Sequence, residues 1–201
     1  MCCFLTLLQW LIRPGTPALS VTLASPNQKS NRDDIEMEFT ITYHGVINEQ
    51  GELVNEARPI TVSNEAFPPN CSSDRLYLRN ESGKWEETEP GVMCGGYFID
   101  EDRSITMGEA QDFLTLHPGT SHIYSFTMES TFPEVQNVGE LYRYRYKGET
   151  VDWWDWGTKE DHANTVITLP SFSTNGSIDP PSNPLKLVVP ASNDLEIKIV
   201  E

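Results

Sequence analysis

Ile35-Glu36-Met37-Glu38-Phe39-Thr40-Ile41-Thr42-Tyr43-His44 is the stretch that decides the fold class. Ile35, Met37, Phe39, Ile41 and Tyr43 alternate with Glu36, Glu38, Thr40, Thr42 and His44. Successive side chains of a strand point to opposite faces, so this order gives one apolar face and one polar face. A helix, at 3.6 residues per turn, would scatter the same apolar groups around its axis.

Working outward, the same period recurs. Leu19 to Leu23 reads as a first strand, ended by Ser25-Pro26-Asn27. At the far end Leu195, Ile197 and Ile199 alternate with Glu196, Lys198 and Val200. Leu185 to Val189 is a further candidate strand, halted at Pro190. Leu76 to Leu78, Tyr97 to Ile99, Phe113 to Leu116, Tyr124 to Met128 and Thr165 to Leu169 fill the middle, with a tight turn expected at Pro118-Gly119. From Leu141 to Lys147, Tyr142, Tyr144 and Tyr146 share one side, and Arg143, Arg145 and Lys147 the other. Roughly nine strands with turn signals between them predict an all-β, two-sheet antiparallel immunoglobulin-like sandwich. Residues 109–113 and 153–162 are the only candidates for a helical turn. Residues 21–201 read as a single domain, and residues 1–20 as a signal peptide or mobile leader.

The chain has 201 residues, of which 38% are apolar, and its five Trp, seven Tyr and eight Phe make a packed core feasible. Against 14 Lys and Arg stand 30 Asp and Glu, a net charge of −16. Such a surface repels phosphate backbones and anionic lipid, which excludes nucleic acid as a partner. Its first effect is solubility. Cys2 to Ile12 is an apolar run too short to span a bilayer, so no membrane span is expected. That run, followed by Ala18-Leu19-Ser20, has the order of a signal peptide but lacks its leading positive charge. A secreted and a cytoplasmic location stay equally open. With a cleaved leader only Cys71 and Cys94 remain. They are expected to bridge, closing a loop of about 23 residues worth roughly 3 kcal/mol.

Motifs of catalysis are missing. There is no Gly-x-Ser-x-Gly elbow, no phosphate-cradling glycine loop and no His-Glu-x-x-His helix. His117 and His122 flank a turn, but two ligands from one hairpin do not make a metal site. Asp100-Glu101-Asp102 reads as a solvated turn rather than a calcium site. No cofactor is expected, and the chain is read as a non-enzyme.

The densest feature is Val151-Asp152-Trp153-Trp154-Asp155-Trp156-Gly157-Thr158-Lys159-Glu160-Asp161-His162. Its structural reading is a plug that closes one end of the sandwich. Its functional reading is an aromatic platform of Trp153, Trp154 and Trp156 with Asp155, Lys159 and His162, able to stack on a sugar or clamp a peptide. On a helical turn Trp153 and Trp156 would share a face, with Trp154 pointing elsewhere. At least one Trp is expected in the core and at least one partly exposed.

The stretches Tyr142 to Gly148, Val151 to Gly157, Asp161-His162, Arg58-Pro59-Ile60-Thr61, Lys84-Trp85-Glu86 and Leu187 to Asn193 resemble a family of uncharacterised fungal proteins that carry the Val-Asp-Trp-Trp-Asp-Trp-Gly motif. The resemblance covers most of residues 19–201 and implies no activity. More loosely, the strand pattern is similar to the immunoglobulin-like pro-region of deuterolysin-type metallopeptidases, which implies a sandwich without the catalytic half. The function expected from all this is a non-catalytic binding or structural module for a carbohydrate or a peptide or protein partner. Two alternatives stand beside it. One is a metal-dependent or hydrolytic enzyme with an unfamiliar site; the other is an inhibitor or chaperone of the pro-region type.

Overall fold

A computed structural model describes residues 14–26, 29–30, 35–54, 58–67, 73–88, 101–127, 137–169 and 185–200. Over these residues the chain is, as expected, all-β, and its body is two packed sheets of mostly antiparallel strands. In chain order the strands are β1 (Pro17–Ala24), β2 (Lys29–Ser30), β3 (Glu36–Ile47), β4 (Leu53–Val54), β5 (Ile60–Ser63), β6 (Asp74–Arg79), β7 (Trp85–Glu87) and β8 (Arg103–Thr106). There follow β9 (Phe113–Leu116), β10 (Thr120–Thr127), β11 (Leu141–Tyr146), β12 (Glu149–Thr150), β13 (Trp154–Trp156), β14 (Val166–Leu169), β15 (Val188–Val189) and β16 (Leu195–Ile199). A single 3-10 turn, Asn64–Ala66, is the only helix among the described residues.

The first sheet runs β1-β3-β10, with β4 added at the end of β3. The second runs β2-β16-β11-β6-β7. All pairings are antiparallel except β2 with β16, which is parallel. The alternation of β3 does what its pattern predicts: Met37, Phe39, Ile41 and Tyr43 are buried and Glu36, Glu38 and His44 exposed. Opposite them the second sheet buries Tyr142, Tyr144 and Tyr146 of β11 and Leu195, Ile197 and Ile199 of β16. The rings of Phe39 and Tyr146 meet edge-on, 5.2 Å apart. Removing each such side chain from water contributes about 1.5–3 kcal/mol, which is what holds the layers together. On the outer face Arg143 pairs with Asp194 at 3.3 Å and Glu196 at 3.0 Å, and its guanidinium lies 4.0 Å over the Trp85 ring. Thus the basic side of β11 is matched within the protein.

Three smaller sheets complete the described residues. β12 pairs with β15, β5 lies between β13 and β9, and β14 pairs with β8. The last two border a second, smaller core of Met107, Ala110, Phe113, Trp153, Ile167 and Leu169.

Several expectations need correction. Phe113 and Trp154 to Trp156, expected in helical turns at 109–113 and 153–162, lie in strands because they bond to β5; the turn within 153–162 comes only at its end, where the His162 amide donates to the Thr158 carbonyl at 3.2 Å. β5 itself, with β7, β8 and β13, escapes the sequence pattern. Ile60, Thr61, Val62 and Ser63 are all buried, so β5 shows no alternation. Leu185 to Leu187 are irregular and only Val188–Val189 form a strand. Pro17 to Ser20, within the stretch read as leader, belong to β1 and pair with β3. Cys71, Cys94, Asp100, Met128, residues 1–13 and the strand expected at Tyr97 to Ile99 lie outside the described residues.

Candidate functional site

The Trp-rich segment is placed by β5. Trp154 pairs with Val62, Asp155 with Thr61 and Trp156 with Ile60. One residue earlier the ladder continues, since the Ser63 amide donates to the Trp153 carbonyl at 2.9 Å. In a strand, neighbours point to opposite sides. Trp154 and Trp156 therefore share a face, with rings 5.2 Å apart and edge-on. Trp153 faces the other way. This reverses the grouping expected from a helical turn.

The division sends the two buried rings into different cores. Trp154 joins the large core, where its indole N–H donates to the Leu185 carbonyl at 2.7 Å. Trp153 joins the small one, edge-on to Phe113 at 5.4 Å and to His162 at 5.7 Å. Trp156 is half-buried, and the Arg58 guanidinium lies 4.0 Å over its ring. Arg58 was legible only as part of the resemblance; nothing in its own sequence neighbourhood announces this contact.

Asp155, Lys159 and His162 turn inward or onto the backbone. Asp155 is buried, and its carboxylate accepts from the Trp156 amide at 2.8 Å. Lys159 Nζ donates to the Ala110 carbonyl, and its amide donates to Thr115 Oγ1 at 2.9 Å. His162 Nε2 meets the Trp156 carbonyl oxygen at 2.9 Å. The turn that allows this begins at Gly157, whose φ is +114°. A Cβ there would come within 3.2 Å of Asp161 Cβ and 3.3 Å of His162 Nε2, so glycine is required. The Asp161 carboxylate closes the turn by accepting from the Thr158 amide at 2.8 Å, and those bonds hold its pKa below the usual range.

Three carboxyls near this end are held above their ordinary range. Glu65 is raised by burial and by the charges of Asp112 and Asp152; Asp152 is raised by burial and by Glu149. Asp74, on β6, is pushed up to about 6 by burial, which outweighs the opposing effects of the Tyr144 hydroxyl and Arg75. Asp74 Oδ1 and the Tyr144 hydroxyl lie close enough to interact but form no hydrogen bond of normal geometry. Among the described residues no group of three or more His, Cys, Asp or Glu could hold a metal ion.

No protein-family model and no curated protein matches the chain. Among solved structures it is similar to a CARDB domain from Pyrococcus furiosus that was solved in complex with di-metal ions. The identity is 11% and the TM-score 0.29, over 92% of this chain and 94% of that one. Among the described residues no helix is long and apolar enough to cross a membrane.

Proposed function

We propose that this chain is a non-catalytic recognition module that holds a peptide segment of another protein at the corner where Trp156 reaches the surface. The observation that supports it is the stacking of Arg58 on the half-buried Trp156 ring at 4.0 Å. Trp and Arg are the residue types most enriched where protein interfaces hold tightly. Trp156 is also braced: its strand is bonded to β5 and its ring abuts Trp154. A side chain already fixed loses little entropy on binding. A sugar lying flat on that indole must first displace Arg58, at about 0.5–1 kcal/mol for an exposed cation–π contact, which favours a peptide over a carbohydrate. The hydrolytic alternative has less behind it, because Asp155 and His162 engage the main chain at Trp156.

Panning the protein against a random peptide library, with a glycan array in parallel, tests the reading. Peptides should be enriched that quench Trp fluorescence, and Trp156→Ala should abolish their binding while the fold persists. Ligands found only on the glycan array would move the partner class to carbohydrate. Selected peptides that bind Trp156→Ala as well as the parent protein would overturn the assignment of the site.

A further inference from the structure

β6 and β7 are joined by the turn Asn80-Glu81-Ser82-Gly83-Lys84. Asn-x-Ser is the spacing at which an asparagine accepts an N-linked glycan. Among the described residues Asn80 is the one asparagine followed two places later by a serine or threonine. Asn70-Cys71-Ser72 and Asn175-Gly176-Ser177 repeat the spacing and lie outside the described residues. What separates a usable acceptor from a chance match is its surroundings. The carboxamide nitrogen has to stand at the surface, with a hydrogen that the fold does not need.

Asn80 meets that condition. Glu81, Ser82, Gly83 and Lys84 are all exposed. The Asn80 side-chain oxygen accepts from the Ser82 hydroxyl at 2.7 Å and from the Lys84 amide at 2.9 Å. The Gly83 amide donates to the Asn80 carbonyl at 2.9 Å. Each of these bonds ends on an oxygen of Asn80. Its side-chain nitrogen donates to the exposed Glu86 carboxylate at 2.6 Å. A primary amide nitrogen has two hydrogens, so a sugar can replace the second while every bond of the turn survives. Asn193 is the contrast. On the outer edge of β1 its oxygen accepts from the Leu23 amide at 2.8 Å. Its nitrogen donates to the Leu23 carbonyl and to the Asp194 carbonyl, each at 3.1 Å, so both hydrogens are committed.

We propose that Asn80 carries an N-linked glycan, received in the secretory lumen from an oligosaccharide held on a lipid pyrophosphate. In the transfer the bond from Asn80 Nδ2 to the sugar C1 forms as the bond from C1 to the pyrophosphate oxygen breaks. The lipid pyrophosphate leaves, and the displaced amide hydrogen departs as a proton. The apolar run Cys2 to Ile12, with its signal-peptide order, is the route to that donor. The acceptor also stands beside an open edge. β7 is the outer strand of the second sheet, three residues long, and among the described residues it pairs only with β6. A bulky polar group at the turn guards that edge, as shortness and the exposed Glu86 and Glu87 already do.

Expression of the full chain, with its own leader, in a eukaryotic secretory host tests the proposal. Peptide mapping of the secreted protein should find a hexosamine-based glycan on Asn80 in most molecules, and enzymatic deglycosylation should leave an aspartate at that position. Asn80→Gln should abolish the modification. Ser82→Ala should abolish it as well, and since Ser82 is exposed that variant keeps its fold. Ser82→Thr should retain the glycan. Secreted protein with Asn80 unmodified overturns the proposal. So does a chain that stays in the cytosol, because it never meets the donor. A glycan on Asn80 that survives Ser82→Ala overturns the role of the Asn-x-Ser spacing.

Discussion

β11 and β13 are both strands built on large aromatics, yet they use them in opposite ways. β11 spaces Tyr142, Tyr144 and Tyr146 two apart, so all three rings enter one core from one side. At the start of β13, Trp153 and Trp154 are adjacent, so one ring enters the small core and the other the large core. Spacing by two thickens a layer; adjacency fastens two layers to one backbone. The same residue class, a large buried ring, can serve either purpose according to a shift of one position.

Four measurements would break or sharpen that contrast. Trp154→Ala should have the largest effect. It empties a site in the main core and leaves the Leu185 carbonyl without its indole donor, costing about 3–5 kcal/mol in a urea melt. A loss well under about 1 kcal/mol would show that the large core does not depend on that ring. Trp153→Ala should cost about 3 kcal/mol, with the damage confined to the small core. Hydrogen exchange should then quicken in β8 and β14 while β3 stays protected; uniform loss of protection would mean the two cores are not separable.

The third measurement concerns a flaw in the β11 side. Asp74 pairs with Tyr146 across the ladder and is 5% exposed. Its folded pKa is about 6 against an ordinary 3.8, so the folded protein holds the proton more tightly than the unfolded chain does. The contribution to stability is therefore fully present below about pH 4, falls as pH rises, and is lost above about pH 6. Asp74→Asn should stabilise the protein by about 1–3 kcal/mol at pH 7, and the advantage should shrink toward zero near pH 4. A gain that does not change with pH would remove the titration argument. Smallest is Tyr146→Phe. The Tyr146 hydroxyl donates to the Ala66 carbonyl at 2.7 Å, so its loss should cost about 1 kcal/mol in thermal melts. No change at all would mean that solvent replaces it.

Where one strand face meets the core and the other meets water, the sequence is readable. Ile35 to Tyr43 and the Tyr side of Leu141 to Lys147 were legible on that ground. β5 was not, because both of its faces are covered and Ile-Thr-Val-Ser carries no alternation. The Trp segment was recognised as special but assigned the wrong period, since three Trp within four residues fit a helical face as well as they fit a strand. Only the bonds to Val62, Thr61 and Ile60 decide between them. The partner of Trp156 depends on the same register, which brings residue 58 to a ring almost a hundred positions away and leaves no local trace.

The closure of β1 by Asn193 has a consequence for the order of events in synthesis. The Leu23 amide donates to Asn193 Oδ1 at 2.8 Å and Asn193 Nδ2 donates back to the Leu23 carbonyl at 3.1 Å, across 170 residues of chain. A ribosome adding about 5–20 residues per second takes on the order of 10–30 s to bridge that interval. For that interval β1 is made and the side-chain amide that caps its outer edge is not. The Leu23 end of β1 is thus open to mispairing until Asn193 is added, and one amide group then ends the exposure.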